Sequence, residues 1–104
     1  MKTSLPSLRS NIGRRGQLKS PLGKIQRYTI HDEIVRAQTG LARKRIVFQK
    51  LQFDDGRWEL RLAYYIIGKK PRMKGRWVFG QFATLIPQRD CATIVKEAKR
   101  RRWF

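Results

Sequence analysis

Residues 28–41 read YTIHDEIVRAQTGL, and whether they form a helix or a strand decides the fold. Thr29 can cap a helix, and Asp32 stands where a capping-box acid would, although Glu or Gln is usual there. Glu33 adds negative charge to the first turn, which suits the helix dipole. Ile30, Ile34, Ala37 and Leu41 recur at i, i+4, i+7 and i+11, and Gly40 offers a C-terminal stop. These signals predict a helix. The competing reading is a strand through residues 25–35.

Downstream the period changes. Residues 45–53 are rich in Ile, Val and Phe, and Asp54-Asp55-Gly56 supplies turn chemistry for a hairpin. Residues 58–67 alternate. Trp58, Leu60, Leu62, Tyr64 and Ile66 make one apolar face; Glu59, Arg61, Ala63, Tyr65 and Ile67 make a mixed face predicted to be half exposed. Residues 68–75, GKKPRMKG, break the sheet pattern and mark a loop. Residues 76–86 then read as a third strand, with Gly80 a candidate bulge. Pro87 opens a second helix, whose Cys91, Ile94, Val95 and Ala98 form an apolar stripe. The predicted fold is α+β: a three-stranded antiparallel sheet with two helices, in the order helix-strand-strand-strand-helix, preceded by an extended basic arm. The helices are expected to cover one face of the sheet and leave the other open for a ligand.

Upstream, residues 1–27 hold seven basic residues and no acid, with Pro, Gly and Ser between single apolar residues. This composition reads as a flexible arm that orders on contact with phosphates. A transit peptide and a leader without function are the competing readings. Residues 28–104 are then one small domain.

Charge is the strongest global signal. The 104 residues carry 25 Lys+Arg against 7 Asp+Glu, a net +18. The excess is uneven: residues 1–27 hold +7, residues 28–68 only +2, and residues 69–104 hold +9. Such a surplus opposes compaction unless a polyanion neutralises it, and phosphate backbones do so with release of counterions. At 40% hydrophobic and 11% aromatic, the chain can still bury a core. One cysteine and one histidine exclude an intramolecular disulfide and a Cys/His zinc site within the chain. No apolar run approaches the roughly 20 residues a membrane helix needs. No cofactor is expected, and a cytoplasmic or nucleoid-associated site is expected, with an organelle as the alternative.

Three groups are candidates for holding a polyanion. Lys69, Lys70, Arg72, Lys74 and Arg76 put five cations into eight residues beside glycines that permit close approach. Arg14 and Arg15 represent the arm, and Lys99, Arg100, Arg101 and Arg102 surround the end of the second helix. Tyr65 and Phe82 are the rings expected on the open face, where bases can stack. The order of elements over residues 29–104 is similar to that of the double-stranded RNA-binding domain. The likeness is topological: the second helix begins Pro87, Gln88, Arg89, Asp90 with its cations at the far end, and the first hairpin turns through Asp54-Asp55-Gly56. No residue roles follow from it.

The function expected from these features is non-enzymatic nucleic-acid binding with weak sequence preference. The alternatives are a module docking on an acidic protein and a metal-dependent nuclease using Asp54, Asp55 and Glu59.

Overall fold

The computed structural model describes residues 5–69, 72–80 and 83–104. It consists of β1 (Arg15–Lys19), β2 (Ile25–Gln38), β3 (Leu41–Phe53), β4 (Trp58–Ile67), β5 (Trp77–Phe79) and α1 (Gln88–Arg100). The strands pair in sequence order as one antiparallel five-stranded sheet. The predicted three-stranded, two-helix architecture is therefore corrected to a mostly β fold with a single helix among the described residues.

Residues 28–41 are where the prediction failed. They belong to β2 and the turn after it, and the register slips between Ile30 and Asp32, leaving His31 as a bulge. In a regular strand, Ile30 and Ile34 would share a face. The bulge sends them to opposite faces: Ile30 joins Tyr28, Leu51 and Phe53, whereas Ile34 joins Ile46, Ile94, Ala98 and Trp103. The same four-residue spacing that imitates a helix thus feeds two cores. Tyr28, Thr29, Ile30, Ile34 and Val35 favour a pleated surface, and pairing with β3 along nearly the whole strand overrides the capping signals. Gly40, read as a helix stop, takes φ +80 in the two-residue turn between β2 and β3.

Part of the predicted arm is also sheet. β1 pairs with β2 from Arg15↔Thr29 to Lys19↔Ile25. Its hairpin closes through Gly23 N to Ser20 O (2.8 Å) and Ser20 N to Lys24 O (2.8 Å). Gly56 N to Phe53 O (2.9 Å) and Phe53 N to Arg57 O (2.8 Å) close the β3–β4 turn in the same pattern. The third strand is shorter than predicted, three residues rather than residues 76–86.

The sheet curls. A flat sheet would hold β1 and β5 about 19 Å apart at normal strand spacing. Instead Arg15 and Gln17 of β1 line the same cavity as Phe79 of β5. The concave face, carrying Ala63 and Ile67, is well buried, while Trp58, Leu60, Leu62 and Ile66 are exposed on the other. This reverses the predicted exposure of the two faces of β4. A curled sheet shields its own concave side, and one helix cannot cover all of the convex side.

That helix is anchored at both ends. Asp90 is fully buried and accepts from Thr39 N (2.8 Å), Thr39 Oγ1 (2.7 Å) and Arg36 Nε (2.7 Å). Burial opposes its ionisation, but the Thr39 hydrogen bonds and the Arg36 guanidinium prevail and hold the carboxyl at about 2. At the other end Arg102 takes φ 60, and Trp103 N donates to Ala98 O (3.0 Å). This left-handed turn caps the helix. It also swings Trp103 into the core against Phe48, where its indole Nε1 donates to Asp32 Oδ2 (3.1 Å).

Candidate functional site

Strand alternation sorts the side chains of the curled sheet. Ile34, Ile46 and Phe48 meet the helix, so Glu33, Val47 and Gln49 point into the concavity. Cross-strand pairing extends that inner face from Gln49 to Arg61, and from Arg45 to Tyr65 to Phe79.

A buried polar network lies at its centre. Glu33 is 6% exposed, and it accepts from Asn11 N (3.2 Å), Asn11 Nδ2 (3.0 Å) and Gln49 Nε2 (2.6 Å). The amide oxygens then point outward to cations. Gln49 Oε1 accepts from Arg61 Nε (2.9 Å), and Asn11 Oδ1 accepts from Arg14 Nη1 (3.2 Å). One buried carboxylate thereby orients two arginines through two amides, satisfying the polar atoms without a direct ion pair. Asn11 also ties the segment before β1 into the concavity, where Pro6 O accepts from Trp77 Nε1 (2.7 Å).

Arg61 is held between rings. Its Cζ lies 5.0 Å from the Tyr28 ring centre and 5.4 Å from that of Phe79, and Nη1 donates to Tyr28 Oη (2.8 Å). Tyr28 can lie flat across β1 because its partner is Gly16; a Cβ there would overlap the Tyr28 ring. Tyr65 and Phe79 meet edge to face at 5.3 Å, and Phe79 is 39% exposed.

Two cavities open on this face, of about 710 Å³ and about 360 Å³, and share Asn11, Arg14 and Tyr65. Together they form one groove. Arg9 and Arg76 line the larger part; Arg15 and Arg61 line the smaller. Among the described residues, neither lining contains an Asp or Glu.

The residues predicted from sequence fall into four sets. Tyr65, Arg14, Arg15 and Arg76 come together in the groove, with Arg15 also held by Asp54 (2.7 Å). Lys69, Arg72 and Lys74 are exposed in the adjoining β4–β5 loop, whose base is closed by Gly68 N to Arg76 O (2.9 Å). The helix-end residues lie on the other face. There Arg100 bonds Glu97 (2.6 Å), and Arg101 bonds Glu97 (2.7 Å) and Asp32 (3.1 Å), while Lys99 and Arg102 are exposed. The two arginines hold the Glu97 carboxyl at about 2. Lys70 and Phe82 lie outside the described residues. The acids considered for metal binding are engaged otherwise: Asp55 and Glu59 each lie 3.5 Å from Arg57.

Sequence reasoning missed Arg9, Arg61, Phe79 and the Asn11–Glu33–Gln49 network as site components. Arg61 had a usable signal, a cation on the mixed face of an alternating strand, four residues before Tyr65 on that same face. Comparison with protein-family models, curated proteins and solved structures finds no match for the chain.

Proposed function

We propose that this protein binds nucleic acid without catalysing a reaction, holding phosphates in the concave groove of its curled sheet. The observation that supports this is the groove lined by Arg9, Arg14, Arg61 and Arg76, with no carboxylate among its described lining residues and aromatic rings set among the cations; Arg15 borders it but is paired with Asp54. Guanidinium groups match phosphate oxygens in a planar fork, and here two of these four are pre-oriented by buried amides. The exposed loop with Lys69, Arg72 and Lys74 adjoins Arg76 and extends the positive surface. Contacts of this kind position a backbone and carry little sequence information.

The test is salt-dependent binding of a fluorescent oligonucleotide, followed by anisotropy. If four phosphates are engaged, affinity falls about a hundredfold between 50 and 200 mM salt. Arg76→Ala should shallow the salt slope by about one, whereas Arg100→Ala should leave it unchanged. A salt-insensitive constant, or equal effects of the two substitutions, would overturn the proposal.

One observation favours the second reading, docking on an acidic protein. Trp58, Leu60 and Leu62 form an exposed apolar row on the helix-bearing face, the kind of patch that supplies contact hot spots. Nuclease treatment separates the two: a partner lost with the nucleic acid supports the groove, and an acidic protein retained directly supports the row.

A further inference from the structure

The groove is shaped for unpaired bases as well as for phosphate. Resting on the nucleic-acid reading above, we infer that its ligand is a single strand, with a base stacked on Phe79 and the flanking phosphates on Arg61 and Arg76.

Three observations converge. First, the site is concave and bounded. Strand β1 and strand β5 contribute to one cavity of about 360 Å³, and the segment around Pro6 and Asn11 closes the adjoining one. A duplex presents a broad convex surface with its bases stacked inside; a splayed nucleotide can enter such a hollow. Second, Phe79 is 39% exposed although it sits at the inner face of a sheet, with its neighbours Tyr65 and Arg61 already in place beside it. A ring held this way offers a surface to a base, and every base has a π-face to offer in return. Third, cations and rings alternate across the face. Arg61 sits between Tyr28 and Phe79, and Arg45 lies 4.7 Å over the Trp77 ring. Single-strand sites combine these two elements, the rings for bases and the cations for the backbone. A duplex would have to unstack a base to use the rings, at a cost of a few kcal/mol.

The experiment compares a labelled single-stranded oligonucleotide with the duplex of the same sequence, at one salt concentration, against the full chain. The single strand should bind at least tenfold tighter. Phe79→Ala should weaken single-strand binding by about 5- to 150-fold, as expected for loss of one stacked base, while the salt slope stays unchanged. Phe79→Tyr should retain binding, since the ring is kept. Circular dichroism of each variant establishes that the sheet is intact, and the Tyr variant reports on stacking even if the Ala variant unfolds. Equal affinity for the two forms, or loss of binding in Phe79→Tyr, would overturn the single-strand inference and leave phosphate binding standing. Binding of neither form, with the wild-type fold intact, would overturn the nucleic-acid reading itself.

Discussion

The two faces of the sheet carry comparable numbers of arginines and treat them differently. On the helix-bearing face Arg36, Arg100 and Arg101 are committed to Asp90, Glu97 and Asp32. Arg36–Asp90 and Arg101–Asp32 fasten the helix to β2, while Glu97 gathers Arg100 and Arg101 along the helix itself. On the concave face Arg14 and Arg61 have no ion pair among the described residues, and buried amides hold them toward the groove. A count of cations along the chain cannot separate the two cases. Where the acids fold decides which arginines are structural and which remain free for an anion. The run of four cations at 99–102 is the densest in the sequence, yet its two central members are the ones most fully paired.

The comparison breaks most severely at Trp103. Trp103→Ala removes a buried ring from the cluster that joins helix to sheet, together with the indole bond to Asp32. A loss of about 3–5 kcal/mol is expected, measured by urea denaturation. The concave face has its own apolar cluster of Tyr28, Ile30, Leu51 and Phe53. A substitution there that cost no stability would show that the two clusters are not both needed for the fold.

Glu33→Gln probes the other face. The carboxylate accepts three hydrogen bonds from donors, and an amide would turn at least one of its own donors against them. The expected loss is about 1–3 kcal/mol. Because Asn11 and Gln49 orient Arg14 and Arg61, single-strand affinity should also fall at a temperature where the variant remains folded. A stability loss with unchanged affinity would show that the amides do not preset the arginines.

Much of this organisation could be read in advance, and what could not has identifiable causes. The turn Asp54-Asp55-Gly56 and strand β4 follow from local chemistry, because the hairpin is a short-range structure. The loop through Pro21 and Gly23 closes with the same hydrogen-bond pattern, but β1 around it is mostly exposed and polar, so it lacks the alternation that marks a strand. His31 is harder. A single bulged residue shifts the phase of β2, and the shift is imposed by pairing with β3, more than fifteen residues away. The groove shares that difficulty: Asn11, Glu33, Gln49 and Arg61 come from four separate segments, and only the curl of the sheet brings them together. Tyr65, Arg14, Arg15 and Arg76 were recognisable by type, though the fold that unites them was not.

Acid should act mainly on the helix-bearing face. Asp90 and Glu97 are held at about 2, below the unfolded 3.8 and 4.5. A depressed folded pKa contributes stability that is present above the unfolded value and is lost as pH falls toward the folded one. The thermal midpoint should therefore be flat from neutrality to about pH 5 and fall between pH 4.5 and 2. Asp90→Asn should lower the midpoint at pH 7 and shallow the acid-side fall. An unchanged acid limb would mean that the Arg36–Asp90–Thr39 junction does not govern acid stability.

The smallest effect is expected at Arg102, and it bears directly on which face binds. Arg102 has φ 60, the only positive φ at a non-glycine position among the described residues. An L-residue in this conformation is disfavoured by about 1–2 kcal/mol, whereas glycine adopts it freely. Glycine also gains freedom in the unfolded chain, so Arg102→Gly should stabilise by no more than about 1 kcal/mol in urea denaturation. The substitution removes one of the two helix-end cations that have no ion pair among the described residues, while preserving the turn that inserts Trp103. If the concave groove is the binding surface, single-strand affinity and salt slope should match the wild type. If the slope instead shallows by about one, the helix end also contacts phosphate. The strained arginine would then be kept for binding at the expense of a better helix cap, and the division between a structural face and a binding face would have to be redrawn around it.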